Sequence, residues 1–274
     1  MMNKYFYILL IGLISFNLTA QEKKSPYKTD FWKDGAWIAG SVGLNVLGVI
    51  SIQNKANLSE TELANLDGDD IWGINRGAVG NYSEKADELS YIPFYASFAT
   101  PILMLLGEDE RSNFGQISVM FVETMATTGA FFTITAGNVQ KSRPLVYNET
   151  LPIEDRLDSD AQRSFFAGHT AATAAATFFT AKVFQDFNPE SPAVPFVWAG
   201  AVAVPAYVGY LRTKAGKHFL TDNLIGFGIG AACGILVPEI HKIGNEKLDV
   251  YPTMNTNVMG TGIDTKGIGF NYSF

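Results

Sequence analysis

Six apolar stretches, separated by polar connections, organise this chain of 274 residues. They cover residues 35–52, 89–106, about 114–136, about 168–184, 195–211 and 223–237. Each is close to the roughly 17–25 residues that carry an α-helix across a bilayer. The chain therefore reads as all-α, a bundle of about six core helices that are transmembrane by length. A short β hairpin is expected at the C-terminus, where "GIGFNYSF" alternates apolar and polar residues. Apolar residues make up 47% and charged residues 17%, a low charged share for a soluble globular chain. Asn45, Glu123 and many threonines interrupt the stretches, and a soluble bundle of buried helices has the same pattern. The last stretch favours a membrane. Its Gly226, Gly230 and Gly234 fall four apart and form one small-residue stripe of the kind that brings helices close in lipid.

The first 20 residues, "MMNKYFYILLIGLISFNLTA", carry Lys4, an apolar centre and a small-residue exit at Thr19-Ala20. This is the pattern of a secretory signal peptide, with an uncleaved anchor helix as the alternative. Either directs the rest of the chain to the cell envelope. The expected divisions are a signal peptide over 1–20, N-terminal helices and a polar loop over 21–112, a core over 113–240 and a tail over 241–274. The net charge of −7 argues against a nucleic-acid partner. Cys233 is the only cysteine, so no internal disulfide forms.

Helices joined in succession alternate direction, so the connections 137–164 and 212–222 emerge on the same side of the bundle. "QKSRPLVY", "SFFAGH" and "LRTKAGKHFLTD" can then meet at one end. His218 and Asp222 are four apart and share a helix face, where a carboxylate can take the imidazole N–H and leave the other nitrogen basic. His169 enters at a helix start, whose free backbone N–H groups suit an anion. Arg143 and Arg212 supply planar forks for phosphate oxygens. Together these groups describe a phosphoryl-transfer site, with one imidazole attacking and the other protonating the leaving oxygen.

Arg212, five residues, His218, three residues and Asp222 match the third signature of the type 2 phosphatidic acid phosphatase (PAP2) and vanadium haloperoxidase superfamily. Arg143-Pro144 resembles the end of the first signature, and "FAGH" at 166–169 resembles the second. The resemblance implies a phosphatase that needs no metal for hydrolysis and works through a phosphohistidine on His218. It implies Asp222 as the group orienting that histidine and His169 as the acid. Arg143, Arg212 and the Gly168 backbone N–H would hold the phosphoryl oxygens. The implied substrate is a phosphomonoester or pyrophosphate, of a lipid if the chain is embedded in membrane. A soluble periplasmic acid phosphatase and a weakened, phospholipid-binding relative are the alternatives. The family's lysine position is Ala136 here, its serine position is Ala167, and the third signature's leading serine is Leu211. Lys141, Lys214 and Lys217 are the candidates to replace the missing cation, with Lys217 beside His218 the best placed. The expected location is the envelope membrane with a periplasm-facing site.

Overall fold

The structure is a computed structural model that describes residues 25–244, 248–255 and 265–272. The signal-peptide expectation lies outside these residues. Six long helices occupy the six apolar stretches: α1 (Phe31–Gln53), α2 (Glu84–Phe98), α3 (Phe114–Asn138), α4 (Gly168–Phe187), α5 (Val194–Lys214) and α6 (Leu220–His241). Two strands, β1 (Leu248–Asn255) and β2 (Thr265–Tyr272), pair antiparallel with Leu248 opposite Tyr272, giving the expected hairpin.

Local chemistry explains the helix limits. Asp30 caps α1 by accepting the N–H groups of Trp32 and Lys33, which otherwise lack helical partners. The α5–α6 turn pivots on Gly216, whose φ of +74° disfavours other residues. A Cβ there would also lie 1.9 Å from the Asn81 carbonyl oxygen. The threonines that interrupt the apolar pattern satisfy themselves. Thr124, Thr128, Thr173 and Thr180 each donate a hydroxyl to the carbonyl four residues back, so their polarity costs little when buried.

Helix α4 is the centre of the bundle. It packs against α2, α3, α5 and α6, while α1 lies along α3 on the outside. The glycine stripe of α6 sits on α4. Added Cβ atoms at Gly226, Gly230 and Gly234 would lie 2.5, 2.0 and 2.6 Å from the carbonyl oxygens of Ala167, Ala171 and Ala175. Backbone meets backbone there, as small-residue stripes permit. Asn45, which interrupts the first apolar stretch, ties α1 to α3 by donating to the Ala126 carbonyl at 2.8 Å.

Among the described residues, five segments are long and apolar enough to cross a membrane: Phe31–Gln53, Glu84–Leu106, Phe114–Asn138, Val194–Lys214 and Leu220–His241. The expectation of six changes for α4, which falls outside this group. Its alanines and threonines face protein on every side, so it needs no lipid-compatible surface. The outer helices do present one. Trp32, Leu47, Ile92, Ile102, Phe131, Phe196 and Leu236 are all more than half exposed. An apolar exterior on this scale is disfavoured in water and natural in lipid. The protein is built as an integral membrane protein.

Candidate active site

Three connections converge at one end of the bundle: residues 54–83, 139–167 and 215–219. The Leu145 N–H donates to the Gly216 carbonyl at 3.0 Å, and the Gly80 N–H donates to the Pro144 carbonyl at 2.9 Å. Asn75 and Thr221 exchange hydrogen bonds of 2.9 and 3.1 Å, which anchors the first connection to the start of α6.

His218 sits just before α6 and is 2% exposed. Its Nδ1 lies 2.6 Å from the Ser164 carbonyl oxygen. A carbonyl can only accept, so Nδ1 carries the proton and Nε2 presents its lone pair. His169 lies in the first turn of α4, a turn that no side chain caps. Its ring packs on Phe94 at 4.4 Å and meets Tyr91 edge-on at 5.2 Å between centroids.

Arg143 and Arg212 are buried, at 7% and 3% exposure. The Arg143 guanidinium is paired with Asp160, and that of Arg212 with Asp87 and the Ser90 hydroxyl. The Nε–H of each arginine is buried and has no hydrogen-bond acceptor among the described residues. A buried donor without an acceptor is costly, and an anion would satisfy both.

The electrostatics tie these groups together. Burial lowers the proton affinity of His218 well below the ordinary 6.5, and Arg143, Arg212 and His169 lower it further against the Ser164 carbonyl. His169 is lowered to about 3, first by burial and then by Arg212, Arg143 and Lys217. Both imidazoles are therefore neutral at pH 7, inside a shared positive field. An apolar groove of about 510 Å³ lies between α5 and the start of α6, lined by Ile74, Thr170, Tyr210, Leu224 and Phe227 among others.

A PAP2 superfamily family model matches residues 118–245. Over this segment the chain is similar to the PAP2 superfamily. A solved structure, "the first transmembrane PAP2 type phosphatidylglycerolphosphate phosphatase from Bacillus subtilis", aligns with 73% of this chain and 94% of that one. The identity is 18% and the TM-score 0.45. No curated protein matches the chain.

Within this PAP2-like segment, Asp222 departs from the expectation that it would hold the His218 ring. Its carboxylate accepts from Lys141 Nζ at 2.5 Å, from the Ser164 hydroxyl at 2.6 Å and from the Phe219 N–H at 3.0 Å. The two do not share a helix face, because α6 begins only at Leu220; the His218 ring meets the Ser164 carbonyl and the carboxylate has three other donors. Ser164 joins the two groups, giving its carbonyl to His218 and its hydroxyl to Asp222.

The lysine candidates separate clearly. Lys141 is committed to Asp222, and Lys214 lies over the Tyr210 ring at 5.9 Å. Lys217 faces the site, with its ammonium 3.8 Å from Asp87 and its charge acting on His169. At the buried Ala136 the cation nearest the PAP2 lysine position comes from another helix end. Lys55 donates to the carbonyls of Ala136, Val139 and Gln162 at 3.0, 2.5 and 2.8 Å. It closes the end of α3, and burial with Arg163 and Arg143 nearby lowers its pKa.

Sequence reasoning missed the wall supplied by α2. Asp87, Ser90, Tyr91 and Phe94 line one face at helical spacing, and Tyr91 also lies 5.9 Å from the Arg212 guanidinium. The spacing i, i+3, i+4, i+7 was the available signal, with an acid and a hydroxyl among aromatics in an otherwise apolar stretch.

Proposed function

We propose that the protein hydrolyses a phosphomonoester or diphosphate borne by a lipid, through a phosphohistidine on His218. The observation that carries this reading is the pair of buried arginines, each with an unaccepted Nε–H, set around two neutral imidazoles. The His218 Nε2 lone pair attacks phosphorus as the bond to the leaving oxygen breaks, and His169 gives that oxygen a proton. Water then attacks the phosphohistidine, His169 takes its proton, and His218 leaves with inorganic phosphate released. Arg143, Arg212 and the Gly168 N–H bind the equatorial oxygens.

His169 must be protonated to act as an acid, and in the free site it is not. Burial lowers it first and the positive field second, and a phosphate dianion offsets the second, so substrate binding favours the protonated form. Asp222 acts through Ser164 and Lys141, fixing the loop whose carbonyl sets the His218 tautomer. The apolar groove beside Thr170 fits an acyl or prenyl chain, which supports a lipid substrate.

A second reading is that the site binds phosphorylated lipid without turnover. It is favoured by Asp87 and Asp160, which already occupy the arginine head groups, and by Ala136 and Ala167.

The test is phosphate release by purified protein without added metal, from phosphatidate, phosphatidylglycerolphosphate and a polyprenyl diphosphate. Release by the wild type, lost in His218→Ala and accompanied by an acid-labile phosphoenzyme, supports hydrolysis. Equal background rates in both support binding alone. We place the reaction on the envelope-facing side of the membrane. Labelling of Thr150→Cys by an impermeant thiol reagent in whole cells tests that assignment.

A further inference from the structure

At the opposite end of the bundle three helices bring together Asp34 of α1, Glu123 of α3 and His241 of α6. The 22 residues of α6 span about 33 Å, so this cluster is remote from His218. All three side chains are buried, at 7%, 0% and 7% exposure. One ligand-type atom from each lies within 4.8 Å of the others. His241 Nε2 is 3.1 Å from Glu123 Oε2 and 3.5 Å from Asp34 Oδ1.

The hydrogen bonding around the cluster is that of a ligand set. His241 Nδ1 lies 2.8 Å from the Val237 carbonyl, which fixes the proton there and turns the Nε2 lone pair toward the two carboxylates. Asp34 Oδ2 accepts the Asp30 N–H at 2.6 Å, which leaves Oδ1 facing inward. Among the described residues, no hydrogen-bond donor reaches either oxygen of the fully buried Glu123. A lone pair and two carboxylates facing one another in a water-poor interior are satisfied together by a cation held between them. The spacing suits one. Metal bonds of roughly 2.0–2.2 Å at tetrahedral angles hold ligand atoms about 3.4 Å apart.

We propose that Asp34, Glu123 and His241 bind one divalent transition-metal ion of the zinc class. One imidazole and two carboxylates leave a fourth position for water or for the second Asp34 oxygen. The ion joins α1, α3 and α6, and its role is to brace the bundle. Trp37 stacks on the His241 ring at 6.0 Å and donates to Thr127 at 2.9 Å, which closes the site from the α1 side. The site is independent of the proposed hydrolysis.

The experiment uses the full chain in detergent, stripped by chelator and titrated with Co²⁺ as a visible-absorbing probe and then with Zn²⁺. The expected result is one equivalent of Co²⁺ with ligand-field absorption, displaced by Zn²⁺, and a higher Tm with Zn²⁺. Glu123→Gln and Asp34→Asn should weaken binding beyond the about 10–100-fold typical of losing an outer-shell partner, and His218→Ala should retain it. Failure of the wild type to take up a stoichiometric ion overturns the proposal, even if a variant does not fold. So does binding that is unchanged in both carboxylate variants. Finding His241 protonated at Nε2, with no metal uptake, would show a buried ion pair instead.

Discussion

The two ends of the bundle gather buried ionisable groups with opposite surplus. At the proposed catalytic end Arg143, Arg212 and Lys217 face Asp87 and Asp160, and burial first, then this positive field, keeps both histidines neutral. At the far end Asp34 and Glu123 face a single imidazole. Both clusters stand where helices terminate. The low dielectric magnifies whichever sign is in excess, so the surplus selects the ligand, an anion at one end and a cation at the other.

The largest expected effect breaks the catalytic end outright. His218→Ala should reduce phosphate release by at least about a thousandfold, as loss of a nucleophile does, measured as kcat on a lipid phosphate. Arg212→Lys keeps the charge but loses the planar fork. It should lower kcat/KM by about 100–1000-fold, read from initial rates.

A methyl group in the seam between the ends should act on stability. Gly230→Ala forces a Cβ toward the Ala171 carbonyl and should cost about 1–3 kcal/mol, seen as a lower Tm.

Acid should reveal the histidines. His169 binds its proton near 3 when folded and near 6.5 when unfolded, so the unfolded chain takes up more protons between these values. Stability should therefore fall as pH drops from 6.5 toward 3. Melting curves of His169→Gln should show a shallower fall. The smallest effect tests whether the ends are separable. Lys242→Gln, at the far end beside Asp186, should leave phosphate release within about twofold.

Much of this was legible in the sequence. The apolar stretches fell on the six helices, and the glycine stripe predicted a close helix contact, whose partner is α4. The alternation of connections predicted that His169, His218, Arg143 and Arg212 would share one end. The short-range partners were not legible. Four-residue spacing suggested a shared helix face for His218 and Asp222, but α6 starts only at Leu220, and the ring's partner is Ser164, brought in from 54 residues away. Lys55 and the Asp87–Phe94 face were hidden for the same reason, since their role exists only once α1 and α2 are docked. The acid–imidazole cluster at the far end joins residues 34, 123 and 241, a separation no local pattern reveals.

The glycine seam has a mechanical consequence. With the Gly226, Gly230 and Gly234 backbone set directly against α4, and Thr170 bonded to Asn223 beside it, sliding of the segment bearing His169 past the one bearing Asp222 is opposed. For the proposed reaction this makes the α2 edge, held by the Asp87–Arg212 ion pair, the side on which a headgroup would be admitted.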